Sequence, residues 1–385
     1  MKKVCVVTGS RAEYGLFKPV LHRIERTSGL TLQLVATTMH LSPEFGNTYR
    51  EIEADGFVID ETIDNLVASE TCGAMARSSG LATMLLSDAF ARLDPDVVLL
   101  LGDRFETHAA ATAAVLMNIP IAHIHGGEVT EGALDEKLRH AITKMASLHF
   151  TATEAYRRRV MQMGEAPETV FCTGAPGIDN ILELPLLERQ ALEEELEWEM
   201  GDTCILFTYH SETASDRDTI EDIRSILEIL EGTDANVLLT YANADIGGRE
   251  INREIERFAA GNPKKYKAVA SLGQKRYLSA MREADCLVGN TSSGIIEAAS
   301  FGTPVVNIGD RQKGRIRGAN VIDSTIGELR GALKQAFSED FRRDCGNVEN
   351  PYGDGRASER IVSLLENVTI TQRKPFIDLE FGENL

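Results

Sequence analysis

Short apolar runs alternate with helix-like patterns along almost the whole chain, and this alternation constrains the fold more than any other feature. Ten runs of three to six residues are mostly apolar, and stretches long enough for a helix separate most of them. Such runs are typical of parallel strands that helices cover on both faces. We therefore predict an α/β fold of doubly wound parallel sheets. The candidate strands are Val4–Thr8, Leu32–Thr37, Val97–Leu101, Ile119–Ile124, Leu148–Ala152, Cys204–Thr208, Asn236–Thr240, Tyr266–Val269, Cys286–Val288 and Val305–Ile308.

A break in the alternation divides the chain into two parts. No apolar strand occurs between Glu183 and Asp202, and the acidic stretch Glu188–Leu196 predicts a surface helix there. A fresh strand begins at Cys204. We predict two Rossmann-like domains that face a cleft, at residues 1–182 and 203–366, followed by a charged tail at 367–385. In such folds ligands bind beyond the carboxyl ends of the strands and in clefts between domains.

The overall charge limits the kinds of partner that we expect. The 385 residues carry a formal net charge of −19, which argues against nucleic acids and anionic membranes. The six cysteines are scattered without metal-ligand spacing, so we expect buried free thiols and no metal site. The N-terminus enters a strand without a signal peptide, and no apolar run reaches membrane-spanning length. These features predict a cytoplasmic protein.

A turn suited to phosphate follows the candidate strand that begins at Cys286. Its residues are Asn290, Thr291, Ser292, Ser293 and Gly294, and a helix begins among them. Hydroxyls, unpaired backbone N–H groups and the positive end of a helix dipole suit a diphosphate. Glu297, one turn later, suits the hydroxyls of a ribose. A capped helix after a strand explains the turn alone equally well, but Glu297 and the following Phe301–Pro304 favour a nucleotide.

Polar residues also follow the strands of the first half. Gly9–Gly15 lacks the three-glycine dinucleotide fingerprint, so a tightly held NAD is not expected. Because the carboxyl ends of parallel strands meet at one edge, we expect the acidic and histidine side chains there to converge, as acid–base chemistry requires. The candidates are Arg11 at a helix start, Asp103 and Arg104 after one strand, His125 and Glu128 after the next, and Asp135 with Glu136 at a further helix start.

Each of these residues also has an ordinary explanation when it is taken singly. Arg11 can form a surface ion pair, and Asp103 can cap a helix. Asp135 and Glu136 can complement a helix dipole, and His125, like His123, can be a histidine of the core. It is their accumulation at one predicted sheet edge that favours function.

The second half offers its own candidates at strand ends. His210 follows one strand and Asn243 lies after the next. A loop that begins at Gly309 concentrates four cations, Arg311, Lys313, Arg315 and Arg317. This loop supplies the local positive charge that the acidic chain otherwise lacks, although a solvated loop is the ordinary alternative.

Six ordered motifs resemble those of the hydrolysing UDP-N-acetylglucosamine 2-epimerases, most closely the bacterial type of sialic acid synthesis. The resemblance runs from Met1 to about Glu366. It implies a glycosyltransferase-B type of fold, no metal and no NAD, and a homodimer. The motifs are Gly9–Gly15, Leu101–Arg104, His123–Glu128, Asp135–Glu136 with Arg139–Lys144, Asn290–Gly294 and Asn307–Arg315.

The resemblance also implies a reaction. UDP leaves C1 as the C2 proton is lost, and water then adds to the resulting glycal while C2 is reprotonated on the other face, which releases N-acetylmannosamine. By motif match, Asp103 and Asp135 are the acid–base candidates, and Glu297 holds the ribose. The match assigns Arg104 and Asn243 to the substrate's surroundings, and the phosphates to Arg11, His210, Thr291, Ser292, Ser293 and Arg311.

The chain departs from many relatives at His125, where they carry Glu. The role of that Glu passes either to His125 or to Glu128, and Glu136 is an alternative to Asp135. Three other functions stay open: the same reaction on GDP-N-acetylglucosamine or UDP-diacetamidobacillosamine, a glycosyltransferase of the same fold, and a non-catalytic nucleotide-sugar sensor.

Overall fold

The computed structural model describes residues 1–67, 71–130, 134–211, 219–242 and 247–378. Contacts divide the chain into two compact units. Among the described residues, the first unit comprises 1–128, 134–180 and 353–378, and the second comprises 129–130 and 181–352.

The first unit contains a seven-stranded sheet in which every neighbouring pair is parallel, in the order β3-β2-β1-β4-β5-β6-β7. All five strands expected in this half are present. The two further strands, β3 and β7, are three residues long and lie at the sheet edges. The strands are β1 (Lys2–Thr8), β2 (Leu30–Thr37), β3 (Glu61–Ile63), β4 (Val97–Leu101), β5 (Ile121–Ile124), β6 (Leu148–Thr151) and β7 (Val170–Cys172).

The second unit contains a six-stranded parallel sheet in the order β10-β9-β8-β11-β12-β13. The prediction missed only β13, which is again an edge strand. Edge strands are short and partly solvated, so they lack the fully apolar sequence that reveals a central strand. The strands are β8 (Cys204–Thr208), β9 (Asn236–Thr240), β10 (Tyr266–Val269), β11 (Cys286–Gly289), β12 (Val305–Ile308) and β13 (Val321–Ser324).

Helices connect the strands, as doubly wound sheets require. Fifteen α-helices occur in the described part of the chain. They are α1 (Arg11–Arg26), α2 (Tyr49–Ala54), α3 (Cys72–Leu93), α4 (Phe105–Leu116), α5 (Leu134–Met145), α6 (Glu154–Gln162), α7 (Pro176–Glu183), α8 (Arg189–Leu196), α9 (Thr219–Glu231), α10 (Gly248–Gly261), α11 (Gly273–Glu283), α12 (Ser292–Ile296), α13 (Leu329–Ala336), α14 (Glu339–Cys345) and α15 (Ala357–Asn367). The expected surface helix at 188–196 is α8.

Both faces of each sheet are covered by apolar side chains. In β1, Val4 and Val6 belong to one buried cluster with residues of α1, whereas Cys5 and Val7 belong to another with residues of α3 and α4. This alternation follows from the two-residue period of a strand. The prediction of two doubly wound Rossmann-like domains is confirmed.

The chain returns to the first unit near its end. The carboxylate of Asp179 accepts hydrogen bonds from the backbone N–H groups of Ala357 and Ser358 at 2.9 and 2.6 Å, at the start of α15. At the other end of α15, the ammonium of Lys2 donates to the carbonyl oxygen of Leu365 at 2.5 Å. These contacts attach α15 to β1, through Lys2, and to α7, through Asp179.

The six cysteines are all free thiols in the structure. Four are buried as expected, but Cys72 and Cys172 are exposed, because one begins a surface helix and the other ends an edge strand. Within the described residues, no helix is long and apolar enough to cross a membrane.

Candidate active site

The turn after β4 places Asp103 against α5. Gly102 has φ +80°, a left-handed conformation that favours glycine, and its N–H donates to the carbonyl of Ile124 at 3.0 Å. Asp103 does not cap the next helix, because Arg104 occupies the N-cap position. Its carboxylate instead pairs with the guanidinium of Arg139, whose side chain is almost fully buried.

Arg139 also joins two acids of the site. Its second nitrogen lies 3.4 Å from Glu136, and that carboxylate contacts Nε2 of His140 at 3.1 Å. Asp135 is exposed at the start of α5. Arg139 belongs to one of the sequence motifs but was not predicted as a site residue. The available signal was its position three and four residues after two acids, a spacing at which side chains of opposite charge meet on a helix. Its burial and its pairing with Asp103 required the structure.

The turn after β5 forms a histidine–carboxylate pair. Nδ1 of His125 lies 2.5 Å from Oε1 of Glu128, and both side chains are buried. His125 has φ +68°, which costs a non-glycine residue energy and is often found at functional sites. Gly127 is required here, since a Cβ at that position would lie 2.5 Å from the carbonyl oxygen of Tyr156. His125 and Glu128, the two alternatives that the sequence left open, are therefore in direct contact.

A second pair of buried acids, Glu13 and Glu106, lies near Arg104 and was not predicted from the sequence. The Arg104 guanidinium contacts Glu106 at 2.5 Å, while Glu13 accepts a hydrogen bond from the N–H of Gly9 at 2.6 Å. Burial, and after it the charge of Glu106, raises the pKa of Glu13 to about 7. Gly9 makes room for this packing, because a Cβ there would lie 2.4 Å from Cγ of Glu106.

The charges around Arg104 influence one another. The carboxylate of Glu106, and more weakly those of Glu13 and Asp135, raise the pKa of Arg104. Arg104 and Asp135 are thus close enough for their charges to interact. Arg11 does not join them, because it is half-exposed and pairs with Glu51 at 3.0 Å.

In the second unit, the end of β11 lies directly against the end of β8. Gly289 has φ +143°, and a Cβ there would lie 1.8 Å from the carbonyl oxygen of Thr208. The side-chain amide of Asn290 bonds the backbone N–H and C=O of His210, both at 2.8 Å. Asn290 therefore shapes the turn with its side chain and does not offer that amide to a ligand.

The hydroxyls expected to bind phosphate cluster at the start of α12. Thr291 is the N-cap and accepts a hydrogen bond from the N–H of Ser293, as the ordinary capping explanation requires. The Ser293 hydroxyl lies 3.0 Å from that of Thr291 and 2.7 Å from that of Tyr277. Gly294 is buried, and a Cβ there would lie 3.0 Å from a methyl carbon of Leu287. Ser292 is half-buried in the same turn.

His210 and Arg311 border this turn. The Arg311 guanidinium donates to the carbonyl oxygen of Asn290 at 3.1 Å, and Gln312 donates to the same oxygen at 2.9 Å. Burial, assisted by the Arg311 charge, lowers the pKa of His210 to about 3. His210 is therefore neutral at physiological pH, and the positive charge beside the turn comes from Arg311.

Glu297 follows α12 as its C-cap residue. Part of its surface reaches solvent, but its carboxyl group lies among protein atoms, and burial raises its pKa to about 8. No side-chain hydrogen bond to Glu297 occurs among the described residues. Hydroxyl groups of a ligand that donate hydrogen bonds to such a carboxyl group would stabilise its ionised form.

Two further expectations from the sequence concern Asn243 and a metal site. Asn243 lies outside the described residues. Within the described parts of the chain, no three His, Cys, Asp or Glu side chains are grouped closely enough to hold a metal ion.

Two doubly wound sheets, each with polar residues at the carboxyl ends of its strands, define a glycosyltransferase-B type of protein. A sequence profile of the family described as UDP-N-acetylglucosamine 2-epimerase matches residues 22–366. The chain belongs to this family.

Individual relatives agree with this assignment along nearly the full length. The chain is 40% identical over 382 residues to the GDP/UDP-N,N'-diacetylbacillosamine 2-epimerase (hydrolyzing) of Campylobacter jejuni. The aligned region covers 98% of this chain and 99% of the relative. The chain is 36% identical over 371 residues to the UDP-N,N'-diacetylbacillosamine 2-epimerase (hydrolyzing) of Legionella pneumophila, with coverage of 96% and 97%. The resemblance to hydrolysing 2-epimerases is therefore confirmed.

A solved structure shows the same fold at lower identity. The crystal structure of UDP-GlcNAc 2-epimerase from Neisseria meningitidis bound to UDP-GlcNAc matches with a TM-score of 0.82 and 20% identity. The match covers 95% of this chain and 100% of that chain.

Proposed function

We propose that this chain is a hydrolysing 2-epimerase that acts on nucleotide-linked N,N'-diacetylbacillosamine, a 2,4-diacetamido-6-deoxy sugar. The observation that carries the proposal is full-length identity of 40% and 36% to two enzymes named for that reaction. This substrate was an alternative in the sequence analysis, where UDP-N-acetylglucosamine was the main expectation. The relatives favour the alternative.

The reaction requires two proton transfers at C2 and departure of the nucleoside diphosphate from C1. Loss of the C2 proton and of the diphosphate forms a C1–C2 double bond. Water then supplies a hydroxyl to C1 while a proton is delivered to C2 on the opposite face. The net products are the nucleoside diphosphate and a free sugar with the manno configuration.

The first unit supplies the acid–base groups in this proposal. A carboxylate can only accept a hydrogen bond, so Glu128 holds the proton of His125 on Nδ1 and leaves Nε2 as the reactive nitrogen. We assign one proton transfer at C2 to Nε2 of His125. Asp103 is assigned the other, with Asp135 as the alternative, and Arg139 fixes the Asp103 carboxylate.

The second unit supplies the groups for the leaving nucleotide. Arg311 and the hydroxyls of Thr291, Ser292 and Ser293 are assigned to the diphosphate, whose developing charge they stabilise. Neutral His210 donates one hydrogen bond there. The carboxyl group of Glu297 is assigned to the ribose hydroxyls.

The deciding experiment is product analysis by NMR in heavy water. UDP- and GDP-linked N,N'-diacetylbacillosamine are compared with UDP-N-acetylglucosamine. We expect free nucleoside diphosphate and a manno-configured sugar with deuterium at C2, formed with a higher kcat/KM from a diacetylbacillosamine substrate. Preference for UDP-N-acetylglucosamine would restore the main expectation of the sequence analysis. Sugar transfer to an acceptor without C2 deuterium would instead establish a glycosyltransferase.

A further inference from the structure

His123 is a buried histidine that the proposed chemistry does not use. It lies on β5, two residues before His125, and its side chain is fully buried. Burial lowers its pKa to about 3, so the imidazole is neutral. A neutral imidazole offers one donor and one acceptor, and each must be satisfied when the ring is buried.

Both ring nitrogens of His123 have partners, and the partners define the tautomer. Nε2 lies 2.8 Å from the carbonyl oxygen of Gly102. That oxygen can only accept, so Nε2 carries the proton. Nδ1 is therefore the acceptor, and the hydroxyl of Thr143 donates to it at 3.2 Å. The ring bridges the turn after β4 and the helix α5.

One face of α5 contacts the turn after β4 at two points. Arg139 and Thr143 are four residues apart in α5 and therefore lie on one face. Arg139 pairs with Asp103 directly, whereas Thr143 reaches the preceding residue, Gly102, through the ring of His123. Gly126 leaves space for the bridge, because a Cβ there would lie 3.0 Å from the Thr143 hydroxyl and 3.2 Å from Nδ1 of His123.

The hydrogen bond from His123 adds a restraint that the Asp103–Arg139 ion pair does not provide. Gly102 has a left-handed backbone and no atoms near the position of a Cβ, and the bond from its N–H to Ile124 holds only the peptide on its N-terminal side. An ion pair to Asp103 limits where the carboxylate points but leaves the peptide plane before it free to rotate. The hydrogen bond from His123 removes that freedom.

The geometry points to His123 as a positioning residue for Asp103, acting through the Gly102 carbonyl. The inference rests on the proposed function, in which Asp103 performs one of the two proton transfers. A shift of about 1 Å in such a group lowers the rate by about 100-fold without a comparable loss of binding.

Two variants of His123 separate its two hydrogen bonds. In His123→Gln the amide nitrogen falls near the position of Nε2 and can still donate to Gly102. In His123→Asn the amide falls near Nδ1, so the contact with Thr143 survives and the contact with Gly102 is lost. We expect H123N to lower kcat about 100-fold with KM changed less than about threefold, and H123Q to stay within about tenfold of the wild type.

The neighbouring strand provides a matched control. His149 pairs in register with His123, is equally buried, and makes an Nε2 contact of 3.0 Å with Glu165, outside the proposed site. We expect H149N to lower the melting temperature at least as much as H123N while kcat is retained. An equal loss of kcat in both variants, or wild-type kcat in H123N, would overturn the inference.

A milder variant covers the case in which H123N does not fold. Thr143→Val removes the donor to Nδ1 and should lower kcat about tenfold, and Thr143→Ser should restore it. Wild-type kcat in T143V would overturn the inference.

Crystal structures test the positioning without any substrate. In H123N we expect a rotated Gly102 peptide and a broken Asp103–Arg139 pair. In T143V, which keeps the contact of Nε2 with Gly102, we expect a smaller displacement of the ring and of that peptide. An unmoved turn in H123N, or in T143V where H123N does not fold, would overturn the inference. A wild-type enzyme that turns over none of the nucleotide sugars would contradict the proposed function, and this structural comparison would still decide the role of His123.

Discussion

His125 and Glu128 form a buried pair in which Nδ1 of the imidazole and Oε1 of the carboxylate are 2.5 Å apart. The carboxylate fixes the tautomer of the ring and stabilises the imidazolium that forms when Nε2 takes a proton. The left-handed backbone of His125 and the glycine that follows place the two side chains together. This relationship leaves Nε2 of His125 as the nitrogen that can exchange a proton with a substrate.

Replacing Glu128 by Gln should lower kcat by about 100- to 1,000-fold with little effect on KM, because the amide can present its NH₂ group to Nδ1 and reverse the tautomer. Steady-state kinetics measure the effect. Glu168→Gln, an exposed acid of the same unit, is the control and should retain wild-type rates. Unchanged kcat in E128Q would remove the pair from the chemistry.

Asp103→Asn should lower turnover by about 100- to 10,000-fold, because a proton-transfer group and the partner of the Arg139 charge are lost together. UDP should still bind, since its proposed contacts belong to other residues. Calorimetric titration with UDP distinguishes the two effects. A loss of UDP affinity comparable to the loss of kcat would show that Asp103 binds the nucleotide.

Binding of UDP should release a proton from Glu297. Its pKa is about 8 in the free protein, and hydroxyl donors of a ribose stabilise the carboxylate and lower that pKa. UDP affinity should therefore rise with pH until about pH 8 and then level off. Calorimetry in two buffers of different ionisation enthalpy counts the released proton.

The variant Glu297→Gln provides the reference for this measurement, because the diphosphate's own ionisation contributes equally to both proteins. The additional proton that the wild type releases on binding UDP should not be released by E297Q. It should still be released by Glu349→Gln, a variant of an exposed acid in the second unit. Equal proton release in wild type and E297Q would contradict the contact with ribose.

The contribution of Glu13 to stability should fall as pH rises through the range in which this carboxyl group titrates. Its pKa is about 7 in the folded protein, against an ordinary value of 4.5, so between these two pH values the folded protein holds a proton that the unfolded chain has lost. The associated stability is present below about pH 4.5 and is lost by about pH 7, on the order of 3 kcal/mol. Urea unfolding of the wild type and of Glu13→Gln from pH 5 to pH 8 measures this contribution as a difference, because the buried neutral histidines His123 and His210 affect both proteins alike. The wild type should lose stability relative to Glu13→Gln as pH rises, and a constant difference would mean that Glu13 ionises normally.

The segment after α15 should contribute to stability through Lys374. Its ammonium donates to the carbonyl oxygens of Lys144 and Ala146 at 2.7 and 2.6 Å and pairs with buried Glu165 at 2.7 Å. Lys374→Ala should lower the free energy of unfolding by about 2–4 kcal/mol, because it strips a buried carboxylate of one partner. The neighbouring variant Arg373→Ala should change it by less than about 0.5 kcal/mol. Similar losses in both variants would show that the contact is unimportant.

Sequence patterns predicted the central strands and the order of the motifs, because buried parallel strands leave an apolar signature that a single chain displays. They did not reveal β3, β7 or β13, which are edge strands with weaker signatures. They also described the residues after α15 as a charged tail. The contacts of Lys374 with α5 join residues more than 200 positions apart, and no local pattern records such a distance.

The sequence by itself determined the class of fold, the family and the residue types that meet at the strand ends. Only the tertiary structure decided their partners: Asp103 with Arg139, His125 with Glu128, the side chain of Asn290 with the backbone of His210, and Arg11 with Glu51. Periodicity and propensity are local properties, whereas these partnerships depend on how separate strands and helices approach one another. The buried charges of Glu13 and Arg139 became interpretable only when the groups that surround them were known.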